Sequence, residues 1–115
     1  MELLVRNGKV KADDIEYEPL DAKIKYFNPL ENRMCSYAPD FRVGNIHVEV
    51  KDLASLGLKE YCWQSKDEAL IVNRAKYEAA TQQFEDYRVY VHVKGNFHRV
   101  REFWKPTERT RLLNL

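Results

Sequence analysis

The chain is poor in the residues that would make it a stapled, collagen-like or membrane-spanning protein. It has only two cysteines, Cys35 and Cys62, which lie far apart and form no C-x-x-C. A disulfide framework and a structural zinc site are therefore disfavoured, and both thiols are expected to be reduced. His47, His92 and His98 show no ligand spacing to one another, so each reads as an ordinary strand or surface residue. Glycine and proline number four each, too few for a collagen-like or low-complexity chain. No apolar run approaches the roughly 18 residues that a membrane span needs, and the opening MELLVRNGKV lacks the pattern of a signal peptide. These absences predict a soluble, cytoplasmic protein with no membrane partner.

What is present is globular. Of 115 residues, 44% are apolar and 32% charged, the balance of a single domain with one core. We take residues 1–115 as that domain, with its core at about 15–94 and a basic C-terminal segment at 95–115. The net charge is only +1, but it is unevenly spread. Residues 13–21 hold five acids (Asp13, Asp14, Glu16, Glu18, Asp21) and no base. Residues 94–111 hold six bases (Lys94, Arg99, Arg101, Lys105, Arg109, Arg111) against Glu102 and Glu108. This asymmetry suits a protein that turns a basic flank to a polyanion, and equally a solvated face with a basic tail.

Periodicity predicts short strands at Ile15–Tyr17 and Ala22–Phe27, interrupted by Pro19 and Pro29. A hairpin follows, from about Met34–Val43 to Ile46–Lys51, with Gly44-Asn45 as its two-residue turn. The loop DLASLGLKEYCWQ, with Tyr61 and Trp63, reads as a lid on the core or a DNA contact. Ser65-Lys66-Asp67-Glu68 has the form of a capping box and opens a helix to about Phe84. Ala69, Val72, Ala75 and Ala79 give that helix a small apolar face able to approach a sheet. Arg88–Lys94 reads as the next strand; residues 97–104 fit strand or helix, and the last ten read as loose. Strand, helix, strand implies a parallel pairing through a crossover. The expected fold is therefore α/β, a mixed sheet with a central hairpin and a crossover helix.

The hairpin register carries the chemistry. With Gly44 and Asn45 in the turn, Val43 pairs with Ile46, Arg42 with His47, Phe41 with Val48, and Asp40 with Glu49. Period-2 alternation puts Phe41, Val43, Ile46, Val48 and Val50 on one face, and Asp40, Arg42, His47, Glu49 and Lys51 on the other. Two carboxylates facing each other across about 5 Å destabilise a bare hairpin. A divalent cation between them reverses the sign, and hard oxygen ligands suit Mg²⁺ or Mn²⁺. Lys51, one pleat further on, can reach the metal's water, a layout competent for metal-assisted phosphodiester hydrolysis. The same residues also read as a charged, solvated strand face, with Arg42 and Lys51 relieving the repulsion.

Residues 37–51, YAPDFRVGNIHVEVK, resemble the signature of the PD-(D/E)XK nuclease superfamily, in which Pro-Asp opens a hairpin strand and Glu-x-Lys closes the next. Tyr17-Glu18-Pro19 upstream, Tyr37 and Phe41 around Pro39-Asp40, and the helix and strand that follow extend the resemblance over about residues 15–94. It is similar in flavour to phage junction-resolving endonucleases and transposon end-cleaving subunits, which suggests a phage or mobile-element source. The resemblance implies a restriction-endonuclease-like core and a Mg²⁺-dependent DNA endonuclease, structure-specific or engaged in recombination or phage DNA processing. It implies that Asp40 and Glu49 bind the catalytic metal, that the Val50 carbonyl is a further ligand, and that Lys51 is the catalytic lysine. Many relatives carry one more acid on a helix before the first strand; Glu18 and Glu2 are the candidates here. Arg42, Arg74 and Lys76 are candidates for contacts to DNA phosphates, and Gln83-x-x-x-Tyr87 resembles a helix motif of some exonuclease relatives. A homodimer would suit so short a chain and place two sites on two strands. The alternative is a catalytically inactive nucleic-acid-binding or assembly module that retains the fold.

Overall fold

A computed structural model describes residues 15–60 and 62–115. Seven strands and two α-helices are found among them: β1 (Ile15–Tyr17), β2 (Ile24–Asn28), β3 (Arg33–Tyr37), β4 (Phe41–Val43), β5 (Ile46–Lys51), α1 (Lys66–Gln83), β6 (Asp86–Val93), β7 (Asn96–Val100) and α2 (Pro106–Leu113). The main sheet runs β1-β4-β5-β6-β7, and β2 and β3 form a separate hairpin. Within the main sheet only β5 and β6 are parallel. The protein is thus an α/β fold with a mixed sheet. No helix of the described residues is long and apolar enough to cross a membrane.

The turn chemistry accounts for the hairpins. Gly44 takes φ of +58°, as the first central position of a II′ turn requires, and the register Val43↔Ile46, Arg42↔His47, Phe41↔Val48 follows as expected. Lys94 and Gly95 are both at positive φ, the I′ pattern, so β6 folds straight back into β7. At the start of α1 the Ser65 hydroxyl accepts the Glu68 N–H at 3.2 Å and donates to its carboxylate at 3.3 Å. The cap therefore holds, although Glu68 bonds the hydroxyl rather than a backbone N–H.

Three expectations are corrected. The long strand expected at Met34–Val43 is two strands in different sheets: β3 pairs with β2, and β4 pairs with β1 and β5. Pro39, which has no N–H to give a ladder, stands buried at the break. The last ten residues are not loose. Pro106 opens α2 at a position where its missing N–H costs nothing, and Leu112 is fully buried. With β7 and the buried Phe103, the C-terminal segment carries the main core well past residue 94.

The third correction concerns the two faces of the sheet. In the parallel register His47, Glu49 and Lys51 stand beside Tyr87, Val89 and Val91. Those β6 residues belong to the main core together with Ile24 of β2, Ala80 of α1, and Leu112 of α2. The charged side of β5 is therefore the side the helices cover, not a solvated face. The alternate side carries a second, smaller apolar cluster of Ile15, Val43, Val48 and Tyr90.

The loop after β5 caps the main core with Leu53, Leu56 and Leu58. It can approach α1 closely because residue 57 has no side chain: a Cβ there would lie 2.5 Å from the Lys66 carbonyl oxygen and 2.6 Å from the Leu70 nitrogen. Helix α1 lies mainly against β2. Gln83 fastens the two by donating to the Lys25 carbonyl (2.6 Å) and accepting the Lys25 N–H (3.2 Å).

Candidate active site

Asp40 sits one residue beyond the end of the β4–β5 ladder, where Pro39 has halted regular pairing. Instead of facing Glu49 as a ladder partner, it is fixed from two sides. Its carbonyl accepts the Glu18 N–H at 2.9 Å, and its Oδ2 accepts the Val50 N–H at 2.8 Å. The N–H and C=O of one strand residue leave the same edge, so the Val50 carbonyl is also turned to the Asp40 side.

Glu49 projects from the middle of a central strand into the covered side of the sheet and is only 6% exposed. Lys51 Nζ lies 3.4 Å from its Oε1. Its Oε2 is buried with no hydrogen-bond partner among the described residues. Burial is the main force pushing the Glu49 carboxyl up to about 7; Lys51 pulls it down and neighbouring Asp40 pushes it further up. A buried carboxylate oxygen without a donor costs free energy unless a proton or a cation serves it. Glu49, Lys51, Tyr37, Lys76 and Tyr87 border a cavity of about 10 Å³, room for about one water molecule.

The wall of the site is aromatic. The Tyr37 and Tyr87 hydroxyls are 3.1 Å apart, and Tyr37 also donates to the Lys76 carbonyl at 3.4 Å. Burial pushes both phenols well above their ordinary range, so they remain neutral donors near Glu49. Lys76 enters from α1 with its ammonium over the rings of Tyr26 (5.6 Å) and Tyr37 (5.0 Å). Burial, and then the charge of Lys51, push that ammonium down.

The structure therefore brings together Asp40, Glu49, Val50, Lys51 and Lys76. It does not bring in the other candidates. Arg42 is on the same sheet face but is held at its edge by Asp21 (2.9 and 3.0 Å) and Glu16 (2.6 Å). Arg74 pairs with Glu78 at 3.0 Å and lies over the Trp104 ring at 5.4 Å, facing the C-terminal segment. Glu18 abuts Asp40 through its backbone, with its side chain exposed. Glu2, like Tyr61, lies outside the described residues. Gln83 is engaged by β2, while Tyr87 does reach the site. Tyr26 was not legible from the sequence, since nothing local shows that β2 is laid against α1.

For a divalent cation the donor set is small. Among the described residues no three His, Cys, Asp or Glu side chains converge. The unpartnered Glu49 oxygen, the fixed Asp40 carboxylate and the Val50 carbonyl nevertheless form a hard-oxygen set of the kind Mg²⁺ accepts while keeping several waters. The residues present fit such an ion. Comparison with known proteins gives no further guide: no family model, curated protein or solved structure matches the chain.

Proposed function

We propose that this chain is a Mg²⁺-dependent DNA endonuclease with a restriction-endonuclease-like core of the PD-(D/E)XK type. The observation that carries the reading is Glu49, buried with an unpartnered oxygen, beside Asp40 and within 3.4 Å of Lys51. A burial of charge on that scale is hard to account for as packing, since a Gln or Leu at 49 would avoid the penalty. The element order supports it too: strand, hairpin, helix, then a strand parallel to the hairpin's second arm.

In this reading Asp40, Glu49 and the Val50 carbonyl hold the cation, with Mn²⁺ as a substitute. An ion held there would supply Lewis-acid polarisation of a phosphoryl oxygen and a more acidic water. The protein's own groups do the rest. The Val50 N–H holds Asp40 in place before substrate arrives, so little reorganisation remains for the reaction itself. Lys51 favours the ionised form of Glu49 and offsets negative charge as it builds on the phosphate. As an ammonium it would also donate a hydrogen bond that orients the attacking water. The tyrosine wall and the loop leucines limit the water around these charges, which strengthens each interaction.

A homodimer acting on both strands belongs to the same proposal. Light scattering that gives a monomer mass under conditions of full activity would remove it. The shortage of a third acid among the described residues favours one other reading, a silent DNA-binding or assembly module. Linear, nicked and branched DNA incubated with Mg²⁺ or Mn²⁺ separates the two. The nuclease is expected to cleave at least one, and Asp40→Ala and Lys51→Ala to lose about a hundredfold or more of that rate. Binding without metal-dependent cleavage by the wild type refutes the nuclease.

A further inference from the structure

Trp63 sets apart one end of the loop that follows β5. The leucines of that loop are buried, whereas Trp63 is 83% exposed. An exposed indole keeps both ring faces free for stacking, with its N–H free to donate. Its chain neighbour Gln64 lines a groove of about 430 Å³ that starts at Lys51 and runs between α1 and the β2–β3 hairpin. Asn73 and Lys76 border it on the helix side, and Tyr26 and Arg33 on the hairpin side.

Among the described residues Arg33, Lys51 and Lys76 line the groove with one carboxylate, Glu31; Glu31 pairs with Arg33 at 2.9 Å and Glu49 with Lys51 at 3.4 Å, which leaves Lys76 as the lining cation with no carboxylate on it. Lys76, over its two tyrosine rings, is half-buried, so water screens its charge poorly toward an arriving anion. A concavity of about 430 Å³ suits a ligand of small-molecule dimensions, such as a nucleotide or two of one strand. Exposed aromatic rings beside a basic groove are the combination that binds single strands, with bases stacked and phosphates neutralised.

We propose that this groove receives a single strand of DNA, with Trp63, next in the chain to the lining residue Gln64, stacking on an unpaired base and Lys76 and Lys51 meeting the backbone. The inference deepens the nuclease reading and rests on it for the chemistry at Glu49. It names the substrate as DNA with unpaired nucleotides rather than continuous duplex.

The test is fluorescence anisotropy in EDTA, using dye-labelled oligothymidylate and a blunt duplex of equal length. The wild type is expected to prefer the single strand. Trp63→Ala should weaken single-strand binding by roughly tenfold, and Trp63→Phe should retain most of it. Trp63 is exposed, so neither change threatens folding. Lys76→Ala should weaken binding further and flatten its salt dependence. Equal affinity for the two DNAs, or single-strand binding that Trp63→Ala leaves intact, overturns the inference. Should duplex cleavage with Mg²⁺ accompany that result, the nuclease reading survives alone. Trp63-dependent single-strand binding without cleavage under either metal would instead keep the groove and remove the nuclease.

Discussion

Replacing Glu49 by glutamine isolates the free energy stored at the site. The Glu49 carboxyl titrates near 7 in the folded chain against an ordinary 4.5. A difference of about 2.5 pH units, at about 1.4 kcal/mol each, is a penalty of about 3 kcal/mol for the ionised form. The sign is that of a raised carboxyl: folding takes up a proton between the two values, so stability is greatest below the unfolded pKa. It declines as pH rises through the folded one, and the whole penalty stands above about pH 7. Glutamine is nearly isosteric and carries no charge, so Glu49→Gln should remove the decline. The expectation in EDTA at pH 8 is a variant more stable than wild type by about 3 kcal/mol, or roughly 12 °C in Tm. At pH 5 the advantage should fall below about 1 kcal/mol. Urea and thermal unfolding of both proteins at the two pH values provide the measurement. A gap that is the same at both, or a wild type whose stability does not fall relative to the variant as pH rises, refutes the account of Glu49 as a buried, penalised carboxylate.

Three other expectations follow from separate features. Added Mg²⁺ should raise the wild-type Tm more at pH 8 than at pH 5.5, because the ion competes with the proton for Glu49; saturation at a hundred times Kd is worth about 2.7 kcal/mol, and the Glu49→Gln variant should show little of it. Gly57→Ala puts a methyl group 2.5 Å from the Lys66 carbonyl at a φ of +80°; a loss of about 2–4 kcal/mol by urea unfolding is expected, and a neutral result would mean the loop does not rest on α1 as described. Leu112→Ala, at a fully buried position, should cost about 2–5 kcal/mol, while Leu113→Ala, 48% exposed, should stay within about 0.5 kcal/mol. A loose C-terminus would make the two alike.

How much of this was legible beforehand depends on how local each cause is. The β4–β5 register was, because Gly44-Asn45 sets the turn and strict alternation leaves one pairing that keeps the apolar residues together. The start of α1 was, because Ser65 and Glu68 satisfy each other within one turn. The burial of Glu49 was not. Alternation states which residues share a side of the sheet; which side is covered depends on where the crossover lays α1 and β2. Residues 38–40 were misread as continuous strand although Pro39 signalled a break. Pro106, followed by Glu108, was a readable helix start that the basic composition of the segment obscured. Tyr26 and the cage around Lys76 left no local signal, since they depend on a hairpin packing against a helix some fifty residues away.

The hydrogen bond between the Glu18 N–H and the Asp40 carbonyl has a consequence for how such a protein can change. It joins the two ends of the excursion that holds β2 and β3, so Asp40 is anchored at the neck and not by the hairpin's tip. The tip, residues 29–32, is exposed throughout, and its length is free to vary. Residues could be added to or removed from it while the acid keeps its place beside Glu49. The depth and reach of the groove wall would change; the placing of Asp40 and Glu49 would not. The fold thus separates the wall of the groove from the carboxylates at its end, and one hairpin can be altered without disturbing the pair.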